Sequence, residues 1–126
     1  DQAGTRLLLP LSLLASVLGI AGVAGGLVLT DDVVAAWSVG AAALVFGAGY
    51  GATQNLTLLE AFARTERHGL ASAVWNVCFD SGTALGAFAV GLVAAAGLGI
   101  PGAYVVCALV VAATLPMTLL LRARRT

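Results

Sequence analysis

Between Gly69 and Leu121 the chain carries a single charged side chain, Asp80. So long an apolar run cannot be hidden in a soluble fold of this size. It also exceeds one membrane crossing, which needs about 20 residues. The run must therefore turn back on itself. Its strongest turn signal is "GLGIPG", Gly97 to Gly102, where glycines at 97, 99 and 102 stand with Pro101. Pro101 also suits the first turn of a following helix, where a missing N–H costs little.

Two more uncharged runs precede this one, Leu7 to Thr30 and Val33 to Leu59. Asp31 and Asp32 separate them, and the charged "EAFARTER" cluster closes the second. Composition agrees: 60% of residues are hydrophobic, 10% are charged and mean hydropathy is +1.03. A soluble domain has about 25% charged residues. The runs do not alternate, and barrel strands need only about 10 residues each. The sequence thus predicts an all-α membrane protein of four antiparallel transmembrane helices, at about 7–29, 33–60, 69–96 and 102–121. Residues 1–126 form one transmembrane segment. Because it starts at Asp1, the chain reads as a piece of a longer protein.

All six basic residues are arginines. With four crossings, Arg6, Arg64, Arg67, Arg122, Arg124 and Arg125 share one side, and the opposite loops carry only Asp31 and Asp32. Basic loops stay cytoplasmic. The expectation is a multi-pass protein of the cell (inner) membrane with both termini inside. Glu60 and Arg64 are spaced to pair on a helix end. The loop with Arg64 and Arg67 reads either as solvated or as a gate latch.

Several classes receive no support. There is no basic patch with interleaved aromatics, so no nucleic-acid partner is expected. Cys78 and Cys107 are far apart and read as packing thiols, so neither a metal nor a cofactor is expected. No nucleophile–base set, HExxH or P-loop is present, and no strand precedes "GAGYG". The chain is not expected to be an enzyme.

Polar residues divide the helices. Helices 1 and 4 hold Ser12, Ser16, Cys107 and Thr114, which can bond their own backbone, and both helices can face lipid. In helix 2, Gly47 and Gly51 share a face on which another backbone can approach. Tyr50 and Gln54 form a second stripe, and Asn55 extends the first. Gln54 and Asn55 either bond a neighbouring helix or, with Tyr50, line a substrate cavity. In helix 3, Ser72, Asn76, Asp80 and Thr83 share one face, and Gly82 and Gly86 mark another. Asp80 lies about 16 Å along the helix from Gly69 at 1.5 Å per residue, near the middle of a hydrocarbon core about 30 Å thick. An ionised acid facing lipid there costs at least a few kcal/mol. It must face protein or water, with a partner from another segment. Asp80, with Asn76 beside it, reads as a proton-coupling group, a structural acid or a substrate contact. Trp37 reads as an interfacial anchor, and Trp75 as a packed ring.

"GAGYGATQNLTLLEAF" followed by "RHGLASAVWNVCFDSGTALGAFAVGLV" resembles the tenth and eleventh helices of the major facilitator superfamily, closest to its drug- and sugar-efflux-like members. The corresponding residues are Gly47, Gly49 and Gly51; Arg67, Gly69 and Ala71; and Asn76, Asp80, Gly82 and Gly86. His68 is inserted between the Arg and the Gly, and Asn55 stands near the place of a common proline. The resemblance implies a twelve-helix transporter with substrate near the midplane. These four helices would be the ninth to twelfth, and the missing N-terminal helices would be their partners. It implies alternating-access movement of a small solute, as proton-coupled efflux. Two other classes fit the span count: a complete four-helix exporter acting as a dimer, and a non-transporting scaffold. The first of these places its acid in the first helix, where this chain has none.

The arginine pattern yields a test. In a cysteine-free background, single cysteines at Asp31 and Gly99 should react with an impermeant thiol reagent from outside, and one at Thr65 should not. Outside labelling of Thr65 alone would reverse the orientation.

Overall fold

The computed structural model describes residues 2–123, and the side chains of 7–120. The side chains of Arg6 and Arg122, and the whole of Arg124 and Arg125, lie outside the described residues. Four helices follow in order: α1, Gln2–Gly26; α2, Asp32–Ala63; α3, His68–Val93; and α4, Gly99–Ala123. Between α3 and α4 lies a kinked turn, Ala94–Leu98, with non-helical backbone at Gly97.

Local chemistry sets the boundaries. Asp31 caps α2, its Oδ1 accepting from the backbone N–H groups of Val33 and Val34 at 3.0 Å each. An acidic cap supplies an acceptor for donors that lack an intrahelical partner. Pro10 and Pro116 lie inside α1 and α4.

The described residues hold three long apolar helical stretches able to cross a membrane: Leu7–Gly26, Asp32–Ala63 and His68–Leu120. They suggest a multi-pass membrane protein. The sequence predicts four separate helices, and here the structure differs. The 53 residues of His68–Leu120 form one apolar stretch, and within the turn expected over Gly97–Gly102 it is interrupted by a kink, with non-helical backbone at Gly97 and Gly99. The bend has a local cause. Gly97 has φ of 100° and Gly99 has φ of 63°, values that side chains disfavour. Pro101 then sits in the first turn of α4, as expected.

The order of neighbours also differs from a simple hairpin series. α1 and α2 lie together along their length. α4 packs on α1 rather than back along α3. α1, which the sequence reads as able to face lipid, buries Ser12, Ser16, Ile20, Val23 and Ala24 against its neighbours and leaves Leu7, Leu8, Leu11 and Leu18 exposed. Absent side chains explain the close approach. A Cβ on Gly19 would stand 2.5 Å from the Phe46 backbone nitrogen. One on Gly49 would stand 2.6 Å from the Ser12 carbonyl oxygen. Ala103 and Ala108 are the buried residues of α4.

α3 is held only near its two ends. Ala71, Ser72, Trp75 and Phe79 are partly covered near α2, and Val90 and Val93 near the bend. Every residue from 80 to 89 is exposed.

The glycine contacts generate a prediction. Gly49→Ala should destabilise the α1–α2 pair by about 1–3 kcal/mol, because the methyl meets backbone that cannot yield. Gly47→Ala, with nothing within 4 Å, should stay within about 1 kcal/mol of neutral. Thermal unfolding in detergent compares the two.

Candidate functional site

Among the described residues, an apolar groove and a polar, aromatic cleft stand open. One is an apolar groove of about 590 Å³ between α1 and α4, lined by residues such as Val17, Ala21, Val105 and Leu109. No polar side chain lines it, so it offers a solute no orienting contact. The other is the cleft where α3 leans away from α2. Its polar and aromatic groups make it the candidate site.

At the base of the cleft the helices are clasped. Trp75 Nε1 donates to Thr57 Oγ1 at 3.1 Å. Thr57 Oγ1 in turn donates to its own helix, lying 2.8 Å from the Thr53 carbonyl oxygen and 3.0 Å from that of Gln54. Above the clasp runs a row of four rings. Trp75 and Phe79 stack with centroids 5.1 Å apart on α3. Phe46 and Tyr50 stack at 5.5 Å on α2. Tyr50 and Phe79 meet across the cleft at 6.1 Å, tilted by 41°. Both stacked pairs are four residues apart, the spacing that places side chains one above the other.

Of the expected cavity residues, Tyr50 enters this row. Gln54 is half-buried one turn along α2. Asn55 is exposed and donates through Nδ2 to the Gly51 carbonyl at 2.9 Å, a bond within its own helix. Trp75 packs, as expected. Trp37 is 78% exposed near the start of α2.

The polar face of α3 lies beside the ring row. Asn76 Nδ2 donates to the Ser72 carbonyl at 2.9 Å, and Thr83 Oγ1 to that of Phe79 at 3.0 Å. Asp80 is exposed and has no hydrogen bond or ion pair among the described residues. The reason is chemical. Asn and Thr carry donors that reach back to a helical carbonyl, whereas an ionised carboxylate only accepts. Inside a helix every nearby N–H is already used. Following Phe79 directly, Asp80 lies about 100° further round the helix and points away from α2.

The expected helix-packing glycines stand open. A Cβ on Gly47, Gly51, Gly82 or Gly86 would meet nothing within 4 Å. Close approach within this chain is made at Gly49 instead, beside a hydroxyl bridge in which Thr53 Oγ1 lies 2.9 Å from Ser12 Oγ. In the loop, Arg64 Nε donates to Glu60 Oε1 at 3.0 Å, the expected i,i+4 pair. The Arg67 backbone N–H donates to Thr65 Oγ1. The His68 ring lies 5.3 Å from that of Phe62.

Phe46, Thr57 and Phe79 are contributors that the sequence reading passes over. The repeated i,i+4 aromatic pairs, Phe46/Tyr50 and Trp75/Phe79, are the signal that marks them. Compared with known proteins, the chain matches no family model, no curated protein and no solved structure.

The clasp can be tested by a double-mutant cycle on thermal stability. Thr57→Val and Trp75→Phe each remove the interhelical bond, and their combination should cost less than the sum. The expected coupling is about 0.5–1.5 kcal/mol. Full additivity would show that the bond contributes nothing.

Proposed function

We propose that this chain is the C-terminal membrane part of a secondary transporter that moves a small solute by alternating access, as proton-coupled efflux. One observation carries the reading. Asp80 stands bare and unpartnered among the described residues, midway along an apolar helix. A carboxylate in hydrocarbon is costly, and intramembrane acids mark proton or substrate paths. The resemblance of residues 47–93 to major facilitator helices supports the same reading.

On this reading His68–Leu120 crosses the bilayer twice, bending at Gly97 and Gly99. As a single rod, its 53 residues would be about 80 Å long. That far exceeds a hydrocarbon core of about 30 Å. Four crossings then place the arginines and both termini on the cytoplasmic side. The open face of α3 belongs against helices that precede this chain, and these supply the partner of Asp80. Tyr50 and Gln54 line the solute path, and the bundle alone does not transport.

The test uses the full-length protein at matched membrane abundance, with and without a pH gradient. Asp80→Asn should cut gradient-driven transport at least tenfold while solute binding persists, and Asp80→Leu should do the same or misfold. Full gradient-driven activity in the Asn variant would overturn the proton role.

A further inference from the structure

The apolar groove between α1 and α4 has two matched walls. On α1 its lining recurs from Val17 to Val28, and on α4 from Pro101 to Ala112. The steps are of three or four residues, so each wall is one face of its helix. Eleven steps on each helix make each wall about 16 Å long at 1.5 Å per residue. Ala24 and Ala108 are buried and form the floor, where the helices meet. Val28, Val105 and Leu109 are exposed along the rim.

We infer that this groove holds one acyl chain of a membrane lipid, in the leaflet opposite the arginines. Length, chemistry and width point to that occupant. Val17 lies midway along Leu7–Gly26, a stretch able to cross a membrane, and Val28 lies just past its end. The groove therefore runs from the bilayer centre to one interface. Half of a hydrocarbon core of about 30 Å is about 15 Å, the depth that the chains of one leaflet fill. No polar side chain lines the groove, so it gives water no partners and holds no headgroup. Its volume of about 590 Å³, spread over about 16 Å, leaves a cross-section of about 37 Å². A helix about 10–12 Å across covers at least twice that area, so only its side chains could enter. An unbranched chain of methylenes enters whole and meets both walls. It restores the dispersion contacts that the walls of an empty groove lack. The inference requires only that α1 and α4 cross the bilayer. The leaflet follows from the arginine orientation, and neither Asp80 nor the aromatic cleft enters.

The probes are two phosphatidylcholines, one with a diazirine at the methyl end of an acyl chain and one with it beside the ester. Each is photolysed with the full-length protein in detergent micelles at rising probe content, and the labelled residues are mapped by mass spectrometry. Labelling should saturate and yield to excess unlabelled phosphatidylcholine. The methyl-end probe should mark Val17 and Ala112, and the ester-end probe Val28 and Pro101. Each should exceed Leu18 and Val110, exposed but outside the groove, by about fivefold or more. Ala21→Leu, which fills the groove, should cut this labelling by a similar factor, and Leu18→Ala should leave it unchanged. Even labelling of all exposed positions would reduce the groove to ordinary lipid contact and overturn the inference. So would labelling of Leu18 and Val110 with none in the groove, since a preceding helix or a second copy would then cover it. The reverse order of the two probes, or unchanged labelling in a folded Ala21→Leu protein, would overturn it as well. If Ala21→Leu fails to assemble, the depth pattern on the unsubstituted protein decides.

Discussion

At Gly49 the backbones of α1 and α2 come so near that a methyl group would overlap the Ser12 carbonyl and the Ser16 nitrogen, both 2.6 Å away. Much of the remaining arrangement depends on that approach. It seats Ser12 and Ser16 out of contact with lipid and water, and brings the Thr53 hydroxyl within 2.9 Å of Ser12 Oγ. It makes α1 the middle of the bundle, so α4 has a surface to lie on. It also turns the ring-bearing side of α2 outward, toward α3. Between apolar helices in lipid, burial alone gives little reason to associate. Close van der Waals contact and hydroxyl bridges of this kind are what remain.

α3 shows the complementary situation. Its residues satisfy their polar groups internally wherever their chemistry allows: Asn76 and Thr83 bond back to carbonyls one turn earlier. Asp80 lacks a donor and so cannot. The side chain that defines the candidate function is thus the one whose needs its own helix does not meet. The ring row has a similar logic. Aromatic side chains hold α3 near α2 at one end, and glycines leave the space between them free at the other.

The helices were legible because charge marks their ends. Uncharged runs located α1 and α2 to within a few residues, and the acidic pair before Val33 marked the cap that Asp31 makes. The faces were far less legible. A helix that is apolar all round carries almost no periodic signal to say which side is inward. Gly47, Gly49 and Gly51 all lie in one short stretch, and spacing alone favoured the outer two. The close contact uses the middle one because it points at Ser12 and Ser16. The buried side of α1 is hard to read for the same reason: small residues look alike whether they meet a methyl group of lipid or a neighbouring backbone. Asp80 was legible because a lone acid in an apolar run is conspicuous. The cross-cleft pairing of Tyr50 with Phe79 depends on how two helices meet, which no spacing within one helix encodes.

The pair Gly97 and Gly99 bears on more than the shape of a bend. Whether a chain ends on the side where it began depends on the parity of its crossings. A straight His68–Leu120 would make that number odd and leave the arginines after Leu121 on the far side from Arg64 and Arg67. On the proposed four-crossing reading, the two positive φ angles, 100° and 63°, mark the place where the chain turns back and keeps the count even. On that reading, two hydrogen atoms where other residues carry Cβ reconcile the helical geometry with the distribution of positive charge. A β-branched residue at either place would set backbone strain against the electrostatics of insertion.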